Sequence, residues 1–373
     1  MSSGFRTYFD YGAETKPDSN LIKWPMQGER VCILDGDILP YTIAFVVKDI
    51  DVIRANIRVE QGEFSEVYYT PEFLKYADIM NGMLNRLVAS SLCDAARIYM
   101  TESATNFRVN LAFSQPYKGT RVSEKPPFFY ELRRYLLETQ ETVLSSGIEA
   151  DDQMSIDAWT MARKFCHENG IEIGSPEHMA FANYVVVSKD KDLDQVPGHH
   201  LVYKDESYNL TWITPHGFLS PVFNKENKMK KLEGGGRMYF YAQVLMGDAV
   251  DNYPGLPRCG MNKVYEVLRD CKDEKELYLA TLALYKKKFG DAYPAVNYRS
   301  TEKYRQDYHT HHGFDPVDFD PTMKPITLTA YQMMLEQARL AFMMTEEGEV
   351  WRADKGWIPG GDKENWIEKD NQS

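Results

Sequence analysis

Acidic residues in this chain stand just after short apolar runs, and no other feature restricts its possible folds as much. Residues 31–34, 98–100 and 184–187 read as buried strands. Asp35 and Glu102 follow the first two, and Asp190 with Asp192 the third. Glu149, Asp151 and Asp152 open a long helical run, and Asp248 and Asp251 trail an apolar stretch ending at Met246. In an open α/β sheet the carboxyl ends of parallel strands meet at one crevice, so acids far apart in sequence are expected to meet in space. Crowded carboxylates repel, and burial raises their pKa values unless a cation holds them ionised. Mg²⁺ suits such a place because it takes oxygen ligands and keeps several waters.

The 373 residues, 43% of them hydrophobic, suffice for a sizeable core and two domains. Read as a sum, the formal charge of −12 argues against a nucleic-acid partner. Much of it, however, belongs to clusters that a metal would neutralise. Locally the balance reverses. Residues 115–135 hold Lys118, Arg121, Lys125, Arg133 and Arg134 against Glu124 and Glu131, and residues 225–237 hold Lys225, Lys228, Lys230, Lys231 and Arg237 against Glu226 and Glu233. The five cysteines are odd in number and widely spaced, which indicates neither a disulfide framework nor a zinc site. No N-terminal apolar stretch has the length of a signal peptide or membrane span, so a cytoplasmic protein without a membrane partner is expected.

Apolar periodicity predicts helices over 38–47, 72–92, 128–143, 151–166, 238–246, 263–269, 275–289 and 330–344, with short strands around Leu201 and over 208–213. Residues 116–127 form a basic, Gly/Pro-containing connector, which with the helix after it is expected to lie over the crevice. The run from Lys225 to the triplet Gly234, Gly235 and Gly236 reads as a loop or hinge and sets the expected domain boundary. Residues 294–325 show no usable periodicity. His309, His311 and His312 read as a polar loop, because nothing completes a structural zinc pattern.

The chemistry-bearing segments each have a plain reading beside the functional one. Glu149, Asp151 and Asp152 at a helix entry suit metal ligation, and equally N-capping with dipole complementarity. Asp190 and Asp192 suit one side of an extended loop, or a solvated turn. Asp248 and Asp251, three apart, share a face in a helical turn. The bend at Pro254 and Gly255, leading to a helix at Gly260, suits backbone approach to a phosphate, or an ordinary interhelical turn. Tyr117, Lys118 and Arg121 offer a face for base stacking and two cations for a phosphate, or simply a polar surface.

Taken in order, these segments resemble the flap endonuclease superfamily, and within it the 5′→3′ exonucleases of podovirus-type bacteriophages. The resemblance spans about residues 31–268, with a weaker echo over 337–352. The family's first-strand Asp matches Asp35, its second-strand acid Glu102, its Y-K-x-x-R segment Tyr117, Lys118 and Arg121, its E-x-D-D segment Glu149, Asp151 and Asp152, its D-x-D segment Asp190 and Asp192, and its G-D-x-x-D-N segment Asp248 and Asp251. Glu102 stands where the family usually has Asp, and Arg258 where a second Gly is common. Asp37 reads as a cap of the helix after it.

The resemblance implies an α/β fold: a PIN-like nuclease domain over 1–235, with a mainly parallel twisted sheet flanked by helices and a helical arch at about 116–147. A helix–three-turn–helix DNA-binding domain over 236–345 and a tail over 346–373 would follow. It also implies a 5′→3′ deoxyribonuclease with flap endonuclease activity, using two Mg²⁺ ions about 4 Å apart, for which Mn²⁺ would substitute. Asp35, Glu102, Glu149 and Asp151 would hold the tighter ion, and Asp152, Asp190, Asp192, Asp248 and Asp251 the second, partly through water. Lys118 and Arg121 would stabilise charge on the phosphoryl group. Tyr117, Gly255, Arg258, Gly260 and Lys263 would contact duplex DNA carrying a 5′ end or flap, or an RNA–DNA hybrid. Such an enzyme would serve phage DNA replication, recombination or primer removal in the host cytoplasm. Two other readings compete: a DNA-binding replication factor without catalysis, and a PIN-type ribonuclease.

Overall fold

The computed structural model describes residues 28–45, 58–59, 67–68, 71–102, 106–119, 125–126, 128–204 and 207–354. Its centre is a six-stranded sheet in the order β5-β4-β1-β6-β7-β8, formed by β1 (Val31–Asp35), β4 (Ala95–Thr101), β5 (Thr142–Ser145), β6 (Tyr184–Val187), β7 (Gly198–Lys204) and β8 (Ser207–Ile213). All neighbours pair in parallel except β7 with β8. This is the mainly parallel α/β sheet expected from the sequence. A two-residue pair, β2 (Arg58–Val59) with β3 (Val67–Tyr68), lies outside it.

Strand alternation assigns the two faces. Cys32, Leu34, Ile98, Met100, Val185 and Val187 pack on one side with Leu39 and Ile43 of the helix Ile38–Ala44, Phe73 to Leu87 of Pro71–Ser90, and Leu132 and Leu136 of Phe129–Thr139. Ile33, Tyr99, Tyr184 and Val186 face the other side, under Met154, Ala158 and Ala162 of the helix Ala150–Asn169. Covering both faces is what makes these strands continuous apolar runs. Leaving each strand at its carboxyl end, the chain must emerge at one edge of the sheet, and the acids stand at that edge.

A second core gathers the helices Gly236–Met246, Met261–Leu268, Glu274–Phe289 and Ala330–Ala341. It also takes in Ala112, Phe113 and Tyr117, which come from far earlier in the chain. The helix Ala330–Ala341 is buried throughout, with Thr329 and Gln332 forming a capping box at its start.

Several expectations change. The run from Lys225 to Gly236 is not a loop: β9 (Phe218–Phe223) and β10 (Met229–Gly235) make an antiparallel hairpin that carries its lysines near the exposed turn. The helix expected over 128–143 ends at Thr139, and Thr142–Ser145 is the edge strand β5, so the stretch assigned to an arch re-enters the sheet. Residues 120–124 and 127 of that stretch lie outside the described residues. His309, His311 and His312 stand on a helix, Glu302–His312, and β11 (Tyr293–Ala295) pairs with β12 (Ile326–Leu328) around it. Asp37 occupies the N-cap position of Ile38–Ala44 without capping it; its carboxylate pairs with Arg133 at 3.2 Å and accepts from the Thr101 N–H. Among the described residues no helix is long and apolar enough to cross a membrane.

Candidate active site

Asp35 closes β1, and the Ser188 hydroxyl beyond β6 donates to its Oδ2 at 3.0 Å. The same hydroxyl accepts from the Asp190 N–H at 2.9 Å, so one side chain ties the ends of adjacent strands together. Asp190 in turn accepts from the Asp192 N–H at 2.9 Å, capping a 3₁₀ turn, Lys191–Gln195. Glu149 and Asp151 enter at the N-terminus of Ala150–Asn169, where the helix dipole favours negative charge.

Electrostatics shows that these groups form one crowd. Burial pushes Asp35 up to about 7, and Asp37 and Asp190 add to the rise against the Ser188 hydrogen bond. Burial raises Asp151 well above the usual carboxylate range, followed by the charges of Glu149, Asp190 and Asp35. Asp192 is pushed up to about 8 by burial, then by Asp190 and Asp251. Asp190 is raised as well, first by desolvation and also by Asp251, against the N–H of Asp192. Such carboxyls stay protonated near neutrality or take a cation.

Three members have protein counter-ions. Lys118 pairs with Glu149 and lies 3.7 Å from Asp251. Burial opposes ionisation of Glu149, yet Lys118 and then Arg108 hold it below its ordinary value. Lys191 pairs with Asp248 at 2.6 Å. Burial likewise opposes the Asp248 charge, but Lys191 and the N–H groups of Val250 and Asp251 lower its pKa. Two cross-ties bring the loops together: the Lys118 N–H donates to the Asp251 carbonyl at 2.8 Å, and the Asn252 amide donates to the Pro116 carbonyl at 2.8 Å.

Other candidates stand elsewhere or are already engaged. Asp152 is fully buried, and both its oxygens accept from Arg108, at 2.5 and 2.7 Å; it anchors a guanidinium and is not presented as a metal ligand. Arg108, on the helix Phe107–Leu111, also donates to the carbonyls of Leu340 and Phe342, fastening the end of the last helix to the helix Ala150–Asn169 through Asp152. Glu102 is exposed beyond β4, and the carboxylates acting most on Asp35 and Asp151 are Asp37, Asp190 and Glu149 instead. Tyr117 is buried, with its hydroxyl 2.8 Å from Asp251 and 3.1 Å from Glu149, so its ring is packed in the core and offers no stacking face. Arg121 lies outside the described residues.

The Gly255 N–H donates to Gln337 at 2.8 Å and is not open to a phosphate. Glycine is required there by packing: at φ +59°, a Cβ would sit 2.2 Å from the Gly247 nitrogen. Arg258 (φ +67°) and Gly260 are exposed, and Lys263 pairs with Glu266 at 3.7 Å on the helix that Gly260 starts.

Sequence reasoning missed Arg108, Lys191 and Gln243. Gln243 donates to Asp192 and accepts from Gln195 at 2.7 Å. Only Lys191 carried a local signal, since it stands between Asp190 and Asp192. The donor set, all oxygen with charge left uncompensated, fits a hard divalent cation. Among the described residues no three acid, imidazole or thiol groups already converge as ligands, and two lysines lie among the carboxylates instead.

No family model matches the chain, and no curated protein matches it. Among solved structures it is similar to a bacteriophage T5 protein co-crystallised with metal ions, at 12% identity and TM-score 0.42, covering 83% of this chain and 88% of that one. It is also similar to T5 5′-exonuclease with divalent zinc ions bound, at 15% identity and TM-score 0.39, covering 68% and 88%. A third is a bacteriophage T5 flap endonuclease pseudo-enzyme–product complex with DNA and metal ions, at 14% identity and TM-score 0.37, covering 68% and 88%. At that identity and overlap, function has to be argued from this chain's own side chains.

Proposed function

We propose that this chain is a divalent-metal-dependent 5′ nuclease, a 5′→3′ deoxyribonuclease with flap endonuclease activity acting on duplex DNA. The observation that carries the reading is the crowd of Asp35, Asp151, Asp190 and Asp192 at the carboxyl edge of a parallel sheet, with Lys118 held beside them by Glu149. A protein that only bound DNA would gain nothing from uncompensated carboxylates facing phosphate.

In this reading Asp35, Asp151, Asp190 and Asp192 hold Mg²⁺ or Mn²⁺, which when bound lowers the pKa of water and neutralises phosphoryl oxygens. The Ser188 hydroxyl and the Asp192 N–H fix the orientation of Asp35 and Asp190. Lys118 sits on a backbone at φ +55°, fastened by its own N–H to Asp251, and presents its ammonium to the scissile phosphate once Glu149 and Asp251 turn to other partners. Arg121 follows three residues on. Exposed Arg258 and Lys263 meet the duplex backbone without reading sequence. The helices from Gly236 onward form the duplex-gripping unit, and phage DNA replication, recombination or primer removal in the host cytoplasm is the setting.

End-labelled blunt, gapped, flapped and RNA-primed duplexes, each incubated with Mg²⁺ or EDTA, test the proposal. Short 5′ products that appear with Mg²⁺ and vanish in Asp190→Ala support it. Binding that strengthens in EDTA without cleavage in Mg²⁺ would identify a binding factor, and preference for single-stranded RNA a ribonuclease.

A further inference from the structure

Lys191 lies between two of the crowded acids and pairs with a third, an arrangement that solvation of a surface lysine does not require. Its Nζ is 2.6 Å from Asp248 Oδ2, while Asp248 Oδ1 accepts from the Val250 N–H at 2.6 Å and the Asp251 N–H at 3.3 Å. Both oxygens of Asp248 are therefore engaged, and its side chain is only 4% exposed. The stem of Lys191 belongs to a 3₁₀ turn whose first residues are fixed by the Asp190 carboxylate, so the ammonium is delivered from a rigid base. On the far side of that turn Gln243, held by Gln195, donates to Asp192. Among the described residues no ion pair engages Asp35, Asp151 or Asp190. Each part of the crevice thus has a lysine, but in one Lys191 is in direct contact with Asp248, whereas in the other Lys118 is paired to Glu149 and leaves the oxygens of Asp35, Asp151 and Asp190 open to a metal.

We propose that Lys191 is a resident counter-ion: its ammonium takes the place beside Asp248 that a second divalent cation would occupy. The chain then holds one divalent ion firmly, near Asp35, Asp151 and Asp190, and admits another only by displacing Lys191. The assignment rests on the metal-dependent reading above and gives the reason that Asp248, which the sequence resemblance assigns to the second ion, stands outside the metal set of the resting protein. A buried carboxylate with both oxygens satisfied and an ammonium in contact has little to gain from a hydrated cation.

Mn²⁺ binding to the full chain, followed by titration calorimetry and by the spin-resonance signal of free Mn²⁺, tests this without recourse to activity. The unaltered protein should bind one ion firmly and a second at least about tenfold more weakly. Lys191→Met should bring the second to within about threefold of the first, and Lys191→Gln, which keeps a donor for Asp248 and so protects the fold, should do the same. Lys189→Met removes an equal charge two residues away and should leave the second ion weak. Equal tightening by the Lys189 and Lys191 substitutions would reduce the effect to long-range charge and overturn the assignment. So would two ions of equal affinity in the unaltered protein. Absence of any Mn²⁺ binding would remove the metal-dependent reading itself, and this assignment with it.

Discussion

Asp151 and Asp152 are adjacent in sequence and opposite in circumstance. Asp152 spends both oxygens on Arg108 in a site closed to water, whereas Asp151 is surrounded by Glu149, Asp190 and Asp35 with no ion pair of its own among the described residues. One carboxylate is committed to the fold and its neighbour is left open. The turn over 254–260 divides in the same way, with Gly255 committed to Gln337 and packed on Gly247 while Arg258 stands exposed. Two identical letters side by side therefore include one carboxylate committed to a partner and one left open, and their hydrogen bonds separate them.

The largest effect should come from the open member. Asp151→Asn is expected to lower nuclease turnover by at least about a hundredfold, the scale of losing a principal charge-stabilising group. Without metal it should leave thermal stability unchanged or raise it, because the neutral amide removes a carboxyl whose ionisation Glu149, Asp190 and Asp35 oppose. If Asp151→Asn unfolds the protein while activity per folded molecule survives, the two aspartates have been assigned the wrong way round.

The committed member should behave inversely. Asp152→Ala leaves the Arg108 guanidinium buried without its main partner, a loss of about 3–5 kcal/mol readable by urea unfolding. Replacing the pair together, Arg108→Met with Asp152→Leu, should recover most of that stability. Failure of the double variant to recover would mean that Arg108 matters mainly through Glu149 and the carbonyls of Leu340 and Phe342.

Open and committed groups also respond to pH with opposite sign. Asp35 at about 7 and Asp192 at about 8 bind protons more tightly folded than unfolded, so their ionisation costs stability as pH rises from about 4 through 8. The buried His178, His199 and His200 are each held near 4 by burial, so stability is lost as pH falls below about 6.5 and their protonation favours the unfolded chain. Below about pH 6.5 the raised carboxyls and the histidines oppose one another, so without metal melting temperatures should fall most clearly as pH rises from about 6.5 through 8, where the carboxyls alone titrate. Saturating Mg²⁺ should abolish that alkaline fall and uncover the histidine-driven loss on the acid side. An alkaline fall that Mg²⁺ does not relieve would separate the raised carboxyls from the cation site.

The open members were legible in sequence because their placement is local. A strand's apolar run and the acid at its end lie within a few residues, and parallel pairing brings such ends together. Commitment is a long-range property. Nothing near Asp152 indicates that Arg108 closes on it from 44 residues away, and nothing in Tyr117-Lys118 shows that the ring enters a core built after Gly236. The hairpin of β9 and β10 was misread for a related reason. Gly234 and Gly235 looked like a hinge, but a Cβ on either would come within 2.8 Å of neighbouring atoms, so these glycines answer to close packing and not to flexibility.

The smallest effect concerns the turn, and it tests the division where charge is least concentrated. Arg258→Ala should weaken duplex binding equally for all sequences and reduce the salt slope by about one unit, the signature of one lost phosphate contact. Folding should be untouched, because Arg258 is exposed and its left-handed backbone costs a non-glycine residue on the order of 1 kcal/mol whichever side chain is present. Gly255→Ala, three residues earlier, should lower the melting temperature, since the new methyl meets backbone. A salt slope that shifts for Gly255→Ala in the folded protein but not for Arg258→Ala would return the phosphate contact to the backbone of the turn.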